Sequence, residues 1–501
     1  MPVSCCAGGG GAGCVPAGLG VLTGEIGPRL VDEAVDLAGC REKRVRLLPA
    51  RAVVYFVLGM CLLSGEDSVG PPGYRSVMRS LTHGVRHLAG LPVPSRSALC
   101  KARRRLGSKP FEVLFGLLRG PVAAAGAAGV FAFGLRVVAW DGTGMDVPGT
   151  AENAREFGGP AGGGPQLRLL ALIECGTHAL IDAAFDGFAK ASEQVLARRL
   201  LHALRPGMLL LADRAFPGYQ LWGLAAATGA HLAWRVRSSA VLTPVRYLPD
   251  GSFLAVLPTP HDARQGWKLR ARGRPQAGHR VRVIEYAVTV TTAGAAARTE
   301  AFRLVTTLLD WEQAPAAELA ALYRQRWEAE TGYGELKTRL RGAGFILRSR
   351  APDLACQEMW AFLAVFHALS SLQYQAARQA GLDPDRLSFT VTIRIARDHA
   401  RTQLATATPR GLARARQHAI TDMLADLLPP RRDRHYHREK KRPRNSNYPT
   451  RTNNEPRPPA DVTYRIHVTQ PPTRRNTLSQ RHCVRTHWIR GFIAFRLVRR
   501  T

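Results

Sequence analysis

LRVVAWDGT (135–143), QLRLLALIE (166–174), HALIDAAFD (178–186) and MLLLADRAF (208–216) are short apolar runs bounded by Gly, Pro, Asp or Thr, and their reading decides the fold. Runs of this length, rich in aliphatic residues and closed by turn formers, predict strands. The helical pattern ASEQVLARRLLHAL (191–204) separates the third run from the fourth, and GYQLWGLAAAT (218–228) follows it. Three neighbouring strands, then a helix, a strand and a helix, predict a mixed α/β sheet flanked by helices.

Around that sheet the chain is strongly basic, with a formal net charge of +32 over 501 residues and a 46% hydrophobic content. So much apolar sequence fills two or more cores, and the length predicts several domains. The positive field requires a polyanionic partner, unless it is a merely solvated surface. Arg far outnumbers Lys, and the planar guanidinium suits phosphates and base edges, which favours nucleic acid. The nine cysteines (5, 6, 14, 40, 61, 100, 175, 356 and 483) form no CxxC pair and no zinc-spaced cluster, so reduced thiols are expected. The longest apolar run, Val53 to Leu63, is roughly half of what crosses a membrane, and the Gly-rich start is unlike a secretion signal. A cytoplasmic, nucleoid-associated protein with no membrane partner is expected. The glycines of GGPAGGGP (158–165) lack the Lys of a phosphate-cradling loop, so no nucleotide cofactor is expected.

Towards the N-terminus, residues 1–20 are low-complexity and expected to be flexible. Residues 21–128 read as a helical domain, with runs such as RLVDEAVDLAGC (29–40) and ARAVVYFVLGMCLL (50–63) broken by Gly70-Pro71-Pro72-Gly73. Within it, Pro94-Ser95-Arg96-Ser97 opens a helix that crowds Lys101, Arg103, Arg104 and Arg105 into little more than one turn. That helix either lies on DNA, with Lys101 and Arg104 as candidate contacts, or presents a solvated face. Towards the C-terminus, residues 238–310 carry short β-like pieces and predict a mostly β insertion. Two long helices follow, Ala316 to Arg341 and Cys356 to about Ala380, and complete a domain over 129–400. Residues 401–445 read as a helical and basic segment. Residues 431–501 hold 19 Lys/Arg against 4 Asp/Glu, so the tail over 446–501 is predicted to be a disordered DNA-contacting extension or an accidental one.

Three acids stand out. Phosphodiester cleavage by two divalent ions needs hard oxygen ligands brought together from separate elements. Asp141 lies within one apolar strand and Asp213 at the end of another, where an unpaired charge is costly unless it faces a site. Taken singly, each also reads as a turn residue beside Gly142 or Arg214. The third acid is in LYRQRWEAETGYGELKTRL (322–340), where helical spacing brings Tyr323, Arg326, Glu330 and Lys337 to nearly one face. A surface helix laced with weak ion pairs is the plainer reading of that stripe, and Glu328 and Glu335 fit it better than Glu330 does. The Asp-Gly-Thr-Gly string at 141–144 does not repeat as an aspartic protease lobe would.

The spacing Tyr-x2-Arg-x3-Glu-x6-Lys, met by Tyr323, Arg326, Glu330 and Lys337, resembles the signature of bacterial insertion-sequence transposases of the insertion-sequence-four type, a DDE class. The likeness extends to DGT at Asp141, AENAREFG (151–158), LADRAF (211–216), QEMW (357–360) and DPDRLSF (383–389), over roughly residues 20–445. The resemblance implies a ribonuclease H-like fold with the β insertion before the catalytic Glu. It implies two Mg²⁺ or Mn²⁺ ions on Asp141, Asp213 and Glu330, a metal-activated water that cuts the element's end, and a freed 3′-hydroxyl that attacks target DNA. Tyr323, Arg326 and Lys337 would grip phosphates, the N-terminal domain would recognise terminal inverted repeats, and synapsis would require a homodimer. Some relatives stack a flipped base on an aromatic of the insertion, for which Phe302 and Trp311 are the candidates here unless they are simply core. A catalytically inactive relic that only binds DNA is the alternative function.

Overall fold

The computed structural model describes residues 18–44, 46, 48–65, 70–89, 93–237, 239–271, 277–292, 297–344, 346–402, 408–430 and 462–470. The chain divides into two compact units, one built from residues up to Arg235 and from Leu322 to Asp461, the other from Val236–Ala321 with the segment from Val462 onward.

The first unit opens with five helices, α1 (Pro28–Leu37), α2 (Ala50–Leu62), α3 (Tyr74–Ala89), α4 (Arg96–Leu106) and α5 (Lys109–Leu118). Its sheet comprises β1 (Phe131–Ala132), β2 (Leu135–Asp146), β3 (Gln166–Glu174), β4 (Leu180–Gly187), β5 (Met208–Ala212) and β6 (His231–Arg235). Between these lie α6 (Ala151–Phe157), α7 (Glu193–Leu200) and α8 (Tyr219–Ala226). The strand order is β4-β3-β2-β5-β6. β2, β3 and β4 pair antiparallel, whereas β5 runs parallel to β2, and β6 parallel to β5. The parallel joins follow from α7 and α8, because a crossover helix returns the chain to the same end of the sheet. Val137 to Trp140 are buried in succession, as expected of a strand covered on both faces. Ser192 caps α7 by accepting the Val195 N–H.

The N-terminal helices share their core with the end of the chain. The 28-residue helix Pro352–Gln379 is apolar almost all round and packs against α2 and α5. Of the four cations expected on α4, Arg103 is fully buried and donates to Gln357 Oε1 (2.8 Å) and Ser349 Oγ (3.0 Å), so it holds the helix in place and faces no partner molecule. Arg105 donates to the Leu48 carbonyl (2.6 Å), while Lys101 and Arg104 are exposed.

In the second unit, β7 (Arg246–Tyr247), β8 (Phe253–Pro258), β9 (Gly278–Thr292) and β10 (Arg298–Thr306) run antiparallel in the order β10-β9-β8-β7. A helix, α9 (Pro260–Ala271), interrupts the expected β region; its Arg, Lys and Gln content suits a helix, and Thr259 accepts the Asp262 N–H at its start (3.1 Å). Phe302 stacks on Tyr286 across the β10–β9 pair. Val462–Val468, which falls in the tail expected to be disordered, is strand β11, paired antiparallel with β9 from Thr292 to Tyr286. Its alternation of β-branched and polar residues is strand chemistry set within a polar context. Residues 1–17 of the N-terminal segment expected to be flexible, and the rest of the tail, lie outside the described residues.

Candidate active site

The last paired residues of the parallel strands β2 and β5 are Ala139 and Leu211. Asp141 and Asp213 each lie two residues further on, so a shared register carries both to the point where the two strands part. Ligand sites in α/β sheets form at such openings, beyond the carboxyl ends of parallel strands. Asp141 is not a turn residue, since β2 continues to Asp146 and pairs Asp141 with Ala171 of β3.

The expected single helix from Ala316 to Arg341 is helical throughout but changes pitch. An α segment, α10 (Ala316–Leu322), gives way to a 3₁₀ turn at Tyr323–Arg326, to α11 (Trp327–Gly334), and to a π turn at Glu335–Leu340. The 3₁₀ turn overwinds and the π turn underwinds, and both are conformations concentrated where side chains are re-aimed. The stripe survives: Tyr323 donates to the Ala212 carbonyl (3.1 Å), next to Asp213, and Lys337 donates to Thr143 Oγ1 (3.1 Å) and the Gly144 carbonyl (2.8 Å). Between these anchors Tyr333, which the sequence did not single out, donates to the Asp141 carbonyl while accepting the Ala171 N–H (2.9 Å). The helix bearing Glu330 is therefore tied to the two strands bearing the aspartates.

Two of the three acids border one guanidinium, and the third, Asp213, acts on it electrostatically. Arg326 lies 3.2 Å from Glu330 Oε1 and 3.9 Å from Asp141 Oδ2. Burial opposes its charge, but Tyr323, Asp213, Asp141 and Glu330 around it outweigh that and raise its pKa. Burial pushes the Asp141 carboxyl up to about 6, against the pull of Arg326 and the Gly142 N–H, with Glu330 and Glu193 adding repulsion. Glu193 is a further acid that the sequence reading passed over: a Cβ on Gly142 would meet its Oε1, so glycine beside Asp141 leaves room for that carboxylate. Among the described residues no three His, Cys, Asp or Glu side chains stand close enough together to hold a metal. The donor chemistry nevertheless suits a hard divalent cation, being carboxylate oxygen throughout, and a half-buried carboxyl near pH 6 is one that such a cation would ionise.

Glu328 and Glu335, which the sequence assigns to intrahelical ion pairs, also meet a partner from outside the helix. His178, buried in the β3–β4 turn, bonds both, Nε2 to Glu328 Oε2 and Nδ1 to Glu335 Oε2, each at 2.7 Å. With a carboxylate on each ring nitrogen both nitrogens must donate, so the ring is an imidazolium. Burial favours the neutral ring, but Glu335 and Glu328 prevail and hold its pKa at about 9. His178 adopts φ 60°, a left-handed conformation costly for a residue with a Cβ, which its two bonds help to maintain. No sequence signal marked it, because its partners are 150 and 157 residues away.

Residues 132–365 match the family described as "Transposase DDE domain", and residues 16–116 match "Insertion element 4 transposase N-terminal". The chain belongs to the insertion element 4 transposases. It is 29% identical over 376 residues to "Transposase InsG for insertion sequence element IS4" of Escherichia coli (strain K12), covering 73% of this chain and 79% of that one. Among solved structures it is similar to a piggyBac transposase in a synaptic complex with hairpin DNA, at 10% identity and a TM-score of 0.39, over 80% of this chain and 84% of that one. The sheet of this transposase, three antiparallel strands followed by two parallel ones and flanked by helices, is ribonuclease H-like, as the DDE domain match requires. Asp141, Asp213, Tyr323, Arg326, Glu330 and Lys337 all lie inside the DDE domain match, and Lys101 and Arg104 inside the N-terminal one. No helix among the described residues is long and apolar enough to cross a membrane.

Proposed function

We propose that this transposase binds the terminal inverted repeats of its own insertion sequence and catalyses metal-dependent cleavage and strand transfer, with Asp141, Asp213 and Glu330 holding two Mg²⁺ or Mn²⁺ ions. The placement of Asp141 and Glu330 on either side of Arg326, with Asp213 adding to its electrostatic environment, supports the reading. Divalent ions would supply Lewis-acid stabilisation of charge on the oxygens of the scissile phosphate. The chain's own groups do the rest. Tyr333 and Lys337 hold the helix of Glu330 to β2, and Tyr323 holds the segment that leads into Asp213. Arg326 supplies a fixed planar cation for a non-bridging phosphate oxygen. Lys337 retains one donor for a neighbouring phosphate, and Tyr323, Lys101 and Arg104 add further contacts. The synaptic complex is a homodimer in which target DNA meets two element ends.

Glu330→Gln decides the matter. Glu330 is 43% exposed, so the change leaves the core intact. Purified protein with Mg²⁺ and the element's ends is expected to cleave and join DNA, whereas the variant binds the same ends and does neither. Full cleavage by the variant would refute the assignment of Glu330, and binding without cleavage by the parent would show an inactive relic.

A further inference from the structure

A second feature of the first unit lies outside the carboxylate site. Arg75 at the start of α3, Arg96 and Arg104 on α4, and Arg348 and Arg350 in the segment leading to the helix Pro352–Gln379 line one cleft of about 960 Å³. Among the described residues its only acidic lining residue is Glu152. Arg75, Arg96, Arg104 and Arg350 are exposed, and among the described residues none of their guanidiniums makes an ion pair or a hydrogen bond. Arg348 lies deeper, donating to the Pro72 carbonyl (2.8 Å) and packing over the Tyr74 ring, while its Nη1 is buried without a partner. Three segments far apart in sequence thus gather five guanidiniums around one cleft that a single lining carboxylate shares, an arrangement that attracts a dense line of negative charge. The space equals that of roughly thirty waters, far more than one phosphate group occupies.

We infer that this cleft is a binding site for the sugar–phosphate backbone of DNA, held by Arg75, Arg96, Arg104, Arg348 and Arg350. The inference rests on the reading of the chain as a DNA transposase and adds where, apart from the carboxylate site, the DNA is gripped. Contacts of this kind fix position without reading bases, so they act on any duplex and carry a marked salt dependence.

Binding of full-length Glu330→Gln protein to an unrelated duplex and to one carrying the element's end, without divalent metal, tests it by fluorescence anisotropy between about 50 and about 200 mM salt. Combined R75A, R96A, R104A and R350A should lower the slope of log K against log salt by about three to four on both duplexes, and R96A or R104A alone by about 0.9. A control with R29A, R378A, R410A and R414A removes the same charge from exposed arginines elsewhere and should retain most of the slope. A cleft variant that keeps the parent's affinity and slope, or an equal loss in the control, overturns the proposal. Because no cleavage is measured, a parent that never cuts DNA yet binds through the cleft defeats only the catalytic reading.

Discussion

His178 shows how one side chain braces the helix of Glu330 from 150 residues away in sequence. It bonds Glu328 and Glu335 on either side of Glu330, and all three members are largely buried. Removing the ring in His178→Ala takes the cation from between two largely buried carboxylates, a loss of about 3–5 kcal/mol expected for a broken buried pair. The sign with pH follows from a folded pKa of about 9 against an ordinary 6.5. The clamp's stabilisation, on the order of 3 kcal/mol, is fully present below about pH 6.5 and lost as pH rises through about 9. Thermal melts of parent and His178→Gln should therefore differ most near neutrality and converge in alkaline buffer; a gap that stays constant to pH 10 would mean that the ring is not charged. Asp141 behaves differently, since its raised pKa reflects burial and its ionised form is favoured by a cation in the site.

At the scale of elements, the succession of α, 3₁₀, α and π segments from Ala316 to Leu340 matters more than any single bond. Regular 3.6-residue spacing already brings the signature residues to one side, and the changes of pitch let Tyr323 reach the end of β5 while Lys337 reaches β2. Tyr323→Phe removes the hydroxyl that donates to the Ala212 carbonyl. It should cost about 1 kcal/mol of stability, and a larger fall in cleavage rate than in DNA affinity is expected if the bond positions Asp213. Strand β11 makes a second element-scale case. It covers part of the β9 edge between Tyr286 and Thr292, and an uncovered edge exchanges its amides freely. Truncation after Asp461 should accelerate hydrogen exchange at those β9 residues and leave β8 protected; unchanged exchange would show that the strand is not paired in solution.

For the whole molecule, the chain leaves the first unit after Arg235, builds the second, and returns at Leu322 directly before Tyr323. Two of the acids thus precede the insertion and the third follows it, so folding of the first unit must close a loop of the entire second unit before the site exists. Divalent metal that binds only this assembled state raises its stability, by about 2.7 kcal/mol at a hundredfold excess over Kd. A Tm that rises with Mg²⁺ in the parent and stays flat in Asp141→Asn and Glu330→Gln is the expected result, and an equal rise in all three would place the ion elsewhere. The net charge of +32 acts over the same scale, attracting polyanions in general, whereas the arginine cleft gives that attraction a location.

Periodicity and turn residues were enough to reveal four of the six strands of the first unit's sheet, the helices between them and the long helix with Glu330, because each is written in local apolar spacing. The ordered Asp, Asp, Glu set and the Tyr-Arg-Glu-Lys spacing were legible for the same reason. Helix α9 and strand β11 were missed, since their local composition is polar and only neighbours decide their state. What required the tertiary structure were the contacts with large sequence separation: the β2–β5 register that carries Asp141 and Asp213 past the same end of the paired strands, Tyr333 on the Asp141 carbonyl, His178 between two glutamates, and five arginines in one cleft. A one-dimensional pattern states which face a residue occupies, but which other face it meets depends on the closure of loops that carry no local signal.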